Sequence, residues 1–230
     1  MYVLHYAPDN ASLIVRLALE ELGQPYETKL VDRRIRQQDS AEYRRLSPTG
    51  LIPVIETTDG PISETGAILL WLSERHGALA PQPGSPDRAA FLKWLFFTSN
   101  TLHADIRLHF YPDRHAGAPE CVTAFAVATQ DRIVCHLGLV EAMASTSPAW
   151  FRPDAPSILT HYISCLLRWL ALFPKGRADW FDLSAYPALE AVAAAMESRP
   201  AAGAAALAEG LGTTIFTKPS HACPPEGSAT

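Results

Sequence analysis

A small α/β unit followed by an all-helical unit is the fold class this sequence predicts, and three observations predict it. Short runs rich in strand formers alternate with helical runs over the first 72 residues. Residues 78–86 then carry Pro81, Pro83 and Pro86 with Gly84, a composition that blocks regular structure and suits an interdomain connector. From Asp87 onward apolar residues recur at helical spacing with no convincing strand. The expected organisation is a sheet-containing domain over 1–77, a linker over 78–86, a helical domain over 87–212 and a tail over 213–230.

The first strand is expected over 2–6, ending at Ala7-Pro8. Asp9 or Asn10 can cap the helix that follows. Its apolar stripe is Leu13, Ile14, Leu17, Ala18 and Leu22, and Gly23 supplies a left-handed stop before Gln24-Pro25. A second strand over 26–31, a polar loop over 32–38 and a short helix over 41–46 come next, closed by the turn Ser47-Pro48-Thr49-Gly50. Two strands meeting at Asp59-Gly60 lead into a helix over 64–76 that turns Ile68, Leu69 and Leu72 inward and ends at Gly77. Strand, helix, strand, short helix, two tightly joined strands and a helix is the layout of a thioredoxin-like domain with a small mixed sheet.

In the second half helices are expected over 87–111, 120–143, 156–173 and 188–198, with a last alanine-rich helix over 201–208. Three of them carry a stripe: Phe91, Trp94, Leu95 and Thr98; Val127, Ile133 and Val134; Tyr162, Leu166 and Trp169. Stripes at this spacing are core, so no cofactor is assigned to them. The tail, with Pro219, Pro224 and Pro225 and little periodicity, either covers a site or is mobile.

Composition narrows the function classes. With 48% hydrophobic and 19% charged residues the chain has a globular balance. At net charge −5 the basic residues do not outnumber the acidic ones, which sets nucleic acid aside as a partner, and Arg33-Arg34-Ile35-Arg36 reads as a solvated face. No apolar span approaches membrane-crossing length, so no membrane partner is expected. The apolar start is too short for an export signal, and a cytoplasmic location follows as the expectation. Cys121, Cys135, Cys165 and Cys223 lack CxxC spacing; they read as reduced thiols, with no metal site, and Cys135-His136 as core.

The stretch from Gly50 to Leu72 organises the rest. Pro53, flanked by apolar residues in a strand-like run, cannot donate to a ladder and belongs at an edge or a bend. The helix entered at Ser63-Glu64-Thr65 offers free N–H groups and partial positive charge to an anion. An open strand edge beside a helix N-terminus suits a peptide-like acid. The segments Leu51-Ile52-Pro53-Val54-Ile55-Glu56 and Ile62-Ser63-Glu64-Thr65-Gly66-Ala67-Ile68, followed by a helical domain of fitting length, resemble the glutathione-binding half of the cytosolic glutathione S-transferase family, bacterial type. The resemblance implies a cis bond before Pro53 and glutathione held by Leu51, Ile52, Pro53, Glu64 and Thr65. In this arrangement the Ile52 backbone faces the cysteinyl part, and Glu64 with Thr65 faces the γ-glutamyl end. It also implies glutathione as co-substrate, a small hydrophobic electrophile as the other, a homodimer and a part in detoxification. Ser157-Ile158-Leu159-Thr160 departs from the family's capping motif, which ends in Asp; Ser157 still caps, and Thr160 supplies a poorer acceptor than a carboxylate.

The implied chemistry is attack by the glutathione sulfur. A thiol with a pKa of about 8.5 is only a few per cent thiolate at neutral pH, and each unit of lowering takes about 1.4 kcal/mol. A hydrogen bond to sulfur and the positive end of the first helix can supply it. Three residues near that helix start can donate: Ser12, Tyr6 and Asn10. Ala11 stands where one bacterial branch of the family has cysteine, which removes mixed-disulfide chemistry of that type. In the helical domain His103 resembles a histidine of the same branch. Arg107 lies at i+4 from it, and these two with Tyr111 are expected to line the electrophile pocket. Two other classes share the scaffold: a protein that binds glutathione or a protein partner without turnover, and a glutathione-dependent isomerase, reductase or dehalogenase.

Overall fold

The computed structural model describes residues 1–223. Four strands, β1 (Tyr2–Tyr6), β2 (Tyr26–Leu30), β3 (Val54–Thr57) and β4 (Gly60–Ser63), form one sheet in the order β2-β1-β3-β4. β1 runs parallel to β2 with Tyr2 opposite Tyr26, and antiparallel to β3 with Leu4 opposite Ile55. β3 pairs antiparallel with β4, Val54 opposite Ser63. This is the thioredoxin-like sheet, and it is followed by helices.

Between β1 and β2 lies α1 (Ser12–Glu21), with α2 (Ala41–Leu46) before β3 and α3 (Thr65–His76) after β4. The helical half contains α4 (Arg88–Phe97), α5 (His103–Phe110), α6 (Val122–Ser145), α7 (Ile158–Leu172), α8 (Pro187–Glu197) and α9 (Pro200–Glu209). The expected single helix over 87–111 is interrupted. Thr98–Leu102 widen into a π-type turn, so α4 and α5 meet with their faces rotated relative to one another. The expected loop over 32–38 holds two single turns of 3-10 helix, Arg33–Ile35 and Gln37–Asp39.

Packing centres on α1, which touches α3, α7 and α9. Every residue from Ser12 to Leu19 is buried, so this helix is wrapped on all sides rather than along one stripe. One hydrophobic cluster therefore joins Leu4, Leu17 and Leu69 of the first half to Leu102, Leu137 and Leu166 of the second. Its wrapping forces Arg16 inside, where its Nε donates to Glu209 Oε1 at 2.7 Å. Burying both charges is tolerable only because each has its partner.

Several readings of the helical half need correction. On α6 the buried positions are Ile133, Leu137 and Val140, while Val127 and Val134 are exposed: the inward face is offset from the expected stripe. Cys135 is exposed rather than core, and His136 reaches the buried Asp105 carboxylate at 2.9 Å. The hydroxyl of Thr160 completes the capping box of α7, accepting from Ser157 N–H at 2.8 Å while Ser157 Oγ accepts from Thr160 N–H at 3.2 Å. Residues 213–223 are packed, with Ile215, Phe216 and Ala222 buried. Glu197 receives the N–H groups of Phe216 and Thr217 at 2.7 and 3.0 Å. The expectation for 224–230 lies outside the described residues.

Candidate functional site

The two halves enclose a cleft of about 1160 Å³. The loop after β1, the segment before β3 and the start of α3 form one wall. The end of α4, the π-type turn and α5 with the turn beyond it form the other.

On the first wall the Ile52–Pro53 bond is cis. Ile52 lies outside both ladders of β3 and borders the cleft together with Leu51 and Pro53. The Leu51 backbone is already engaged, its N–H by Ser47 Oγ at 3.2 Å and its carbonyl by Tyr43 O–H at 3.0 Å. Glu64 borders the cleft at φ 71°, a left-handed conformation unusual for a residue with a side chain, and Thr65 opens α3 beside it. Gly66 follows, packed towards the π-type turn, where a Cβ would stand 3.4 Å from Ser99. Glu56 does not border the cleft and is bonded to His5 at 2.8 Å and Lys29 at 2.9 Å. Those hydrogen bonds hold its carboxyl below the ordinary range.

The rest of this wall is the loop between β1 and α1, which brings Asp9, Asn10 and Ala11 to the cleft. Neither expected cap acts as one: Ala11 occupies the cap position with no side-chain bond. Asp9, at φ 53° and buried, sends its carboxylate to the helical half instead. It receives Arg168 Nε and Nη2 at 2.8 and 2.9 Å and Trp169 Nε1 at 2.8 Å, and its own N–H donates to Glu209 Oε2 at 2.9 Å. Asn10 Oδ1 accepts from Ala11 N–H at 2.9 Å. That leaves the Asn10 amide N–H groups without a partner among the described residues, on a side chain that borders the cleft. Ser12 and Tyr6, the other two expected donors, do not border it. Ser12 is fully buried and spans its own loop, donating to the Ala7 carbonyl at 3.1 Å and accepting from Ala7 N–H at 3.3 Å. Tyr6 packs its ring against the Arg16 guanidinium, 4.9 Å from the ring centre. Ser12 is sealed in the first turn of the wrapped α1, and Tyr6, at the end of β1, is held against that helix through Arg16.

On the facing wall His103, Arg107 and Tyr111 all border the cleft. His103 Nδ1 shares a 2.8 Å hydrogen bond with Tyr162 O–H, and the ring packs against Tyr162 and Trp169. Burial first, then the Arg107 charge, brings the His103 pKa down to about 4, so the imidazole is neutral at pH 7. Burial likewise pushes the Tyr162 phenol well up, which keeps it protonated. Leu95, Phe96 and Phe110 supply apolar surface, and Arg114 completes the mouth. Sequence reasoning missed Arg114 and the Arg168–Asp9 pair. The second had a signal: one arginine inside the apolar run Ile163–Leu172 needs a buried carboxylate partner. Among the described residues no group of His, Cys, Asp and Glu could hold a metal, and no helix is long and apolar enough to cross a membrane.

The family described as glutathione S-transferase, N-terminal domain, matches residues 11–75. The disulfide-bond oxidoreductase YfcG of Escherichia coli is 32% identical over 221 residues, 92% of this chain and 97% of that one. A sphingomonad glutathione S-transferase solved in complex with glutathione is 29% identical, with a TM-score of 0.71 over 90% of this chain and 98% of that one. The glutathione transferase URE2P8 of Phanerochaete chrysosporium, solved with oxidised glutathione, shares the fold at a TM-score of 0.76 and 20% identity, covering 89% of this chain and 92% of that one.

Proposed function

We propose, on the premise that the chain belongs to the glutathione S-transferase family, that it binds glutathione along the first wall of the cleft and transfers the thiolate to a small electrophile with an apolar body on the second. In this reading the Ile52 backbone pairs with the cysteinyl unit beside Leu51 and Pro53. Glu64 accepts from the γ-glutamyl ammonium, and Thr65 with the start of α3 receives the adjoining carboxylate. The observation that carries the reading is Asn10: an unengaged amide donor that borders the cleft next to the positive end of α1. A donor there stabilises the thiolate over the thiol and so lowers the sulfur's pKa. The thiol proton leaves to solvent, the thiolate forms a C–S bond, and the leaving group departs with the electron pair of the broken bond. His103, Arg107 and Tyr111 line the electrophile's side. Ser12 holds the loop and Tyr6 backs α1, outside the chemistry. We extend the proposal to a homodimer.

A second reading is supported by the relative named as a disulfide-bond oxidoreductase, matched over nearly its full length. No cysteine borders the cleft among the described residues, so the attacking sulfur is glutathione's in this case too. One thiolate would attack a substrate disulfide, releasing one substrate thiolate and leaving a mixed disulfide. A second glutathione would then release the other thiol and leave glutathione disulfide.

Retention on immobilised glutathione, followed by rate measurements with 1-chloro-2,4-dinitrobenzene and with hydroxyethyl disulfide, separates these. Chloride release supports transfer, glutathione disulfide formation supports the reductase, and retention with neither supports a binder without turnover. Absence of retention sinks all three.

A further inference from the structure

We propose that the electrophile side of the cleft is built for an organic anion: an apolar body, set against Phe96 and Phe110, that carries a carboxylate or sulfonate received by Arg107 and Arg114. The proposal rests on the reading that the opposite wall holds glutathione.

Both arginines border the cleft from the same wall, Arg107 on α5 and Arg114 in the single turn beyond it. Nine arginines elsewhere in the chain sit in ion pairs with a carboxylate. Among the described residues Arg107 and Arg114 are in none, although the chain is acidic overall at net −5 and has carboxylates to spare. The acids of the cleft do not neutralise them: Asp9 is held by Arg168, and Asp39 by Arg36 and Arg44. Glu64 stands on the opposite wall, where the proposed function assigns it to an ammonium. Arg114 lies over the Tyr111 ring at 4.5 Å, a stacking that holds the guanidinium plane while leaving its N–H edge free to meet a carboxylate in the bidentate manner. Burial and, after it, the Arg107 charge keep the His103 imidazole neutral at pH 7, so it adds no charge to this wall, and the cleft's other arginines, Arg33, Arg34 and Arg36, come from the first half of the chain. An uncharged electrophile would use only the apolar part of this wall, whereas an anionic one uses its two guanidiniums as well.

The test uses two unreactive ligands of like shape, 3,5-dinitrobenzoate and 1,3-dinitrobenzene, bound to the full chain with and without glutathione and followed by quenching of tryptophan fluorescence. The carboxylate form should bind roughly tenfold more tightly, as expected of an arginine-bound carboxylate, and the gap should close with added salt. In the Arg107→Gln/Arg114→Gln double variant the two ligands should bind alike; both side chains are exposed, and a thermal melt matching the parent certifies the fold. Equal affinities in the parent chain, no binding of either ligand, or a preference that survives the double substitution would overturn the proposal. These readouts need no turnover, so failure of the glutathione reading, seen as no retention on glutathione, is recorded separately.

Discussion

Asn10 receives Ala11 N–H on its Oδ1 and borders the cleft half-buried, so replacing it removes a donor without opening the core. Asn10→Ala should raise the pKa of bound glutathione thiol by about one unit while changing glutathione affinity little, because the lost bond favours the thiolate over the thiol. The thiolate's ultraviolet absorbance against pH reads this directly. Ser12→Ala should leave that titration in place and instead lower the melting temperature, since it unties the loop from Ala7. A thiol shift with Ser12→Ala and none with Asn10→Ala would reassign the donor. For the glutamates, Glu64→Ala should weaken glutathione binding by roughly tenfold or more, the scale of a charge-assisted hydrogen bond, and Glu56→Ala hardly at all, because Glu56 is committed to His5 and Lys29. Calorimetric dissociation constants that come out equal for the two variants would count against the assignment of Glu64.

Elements were legible in the sequence wherever periodicity and stop signals agree. α3 shows this: Ile68, Leu69 and Leu72 are its buried face, and Gly77 ends it at φ 65°. The offset of the inward face on α6 was not legible, because Val127 and Val134 are as apolar as the residues that are buried and only the packing partner chooses between them. The π-type turn at Thr98–Leu102 left no mark either, since Thr, Ser and Asn inside a helical run also fit an ordinary exposed face. At the site the backbone wall around Pro53 and Glu64 was readable from local chemistry. The donor was not, since which of Tyr6, Asn10 and Ser12 meets the cleft depends on how far α1 is enclosed by α7 and α9. The cap of α7 offers its own test. Thr160→Ala deletes the acceptor for Ser157 N–H in a fully buried setting and should cost about 1–2 kcal/mol of stability in urea unfolding. Thr160→Asp should keep most of that stability by restoring an acceptor at the same position.

For the molecule as a whole, Val127, Val134 and Leu139 expose large apolar surface on α6, which suits burial against a second copy. Light scattering at micromolar concentration should return twice the 25.1 kDa chain mass, and the chain mass itself would refute the dimer. Stability should also follow pH through two imidazoles, His161 fully buried and His103 half-buried beside the cleft. Burial lowers both His103 and His161 from 6.5 to about 4. In that window the unfolded chain binds the protons that the folded one refuses, so stability is full above pH 6.5 and falls as the pH drops towards 4, by about 1.4 kcal/mol per unit per histidine. Neither nitrogen of His161 has a hydrogen-bond partner, so His161→Phe should flatten that slope; an unchanged slope in melts from pH 7 to 4 would contradict it. The order of synthesis gives the Arg168 cluster a further meaning. Its guanidinium joins Asp9 to the carbonyls of Ile215 and Ser220, while Asp9 N–H reaches Glu209. The loop that presents Asn10 therefore acquires its last partners only when residues some two hundred positions further along the chain have been made. Without Glu209, Asp9 N–H and Arg16 Nε would lose the carboxylate that receives both, so the loop that presents Asn10 is secured from the far end of the helical half.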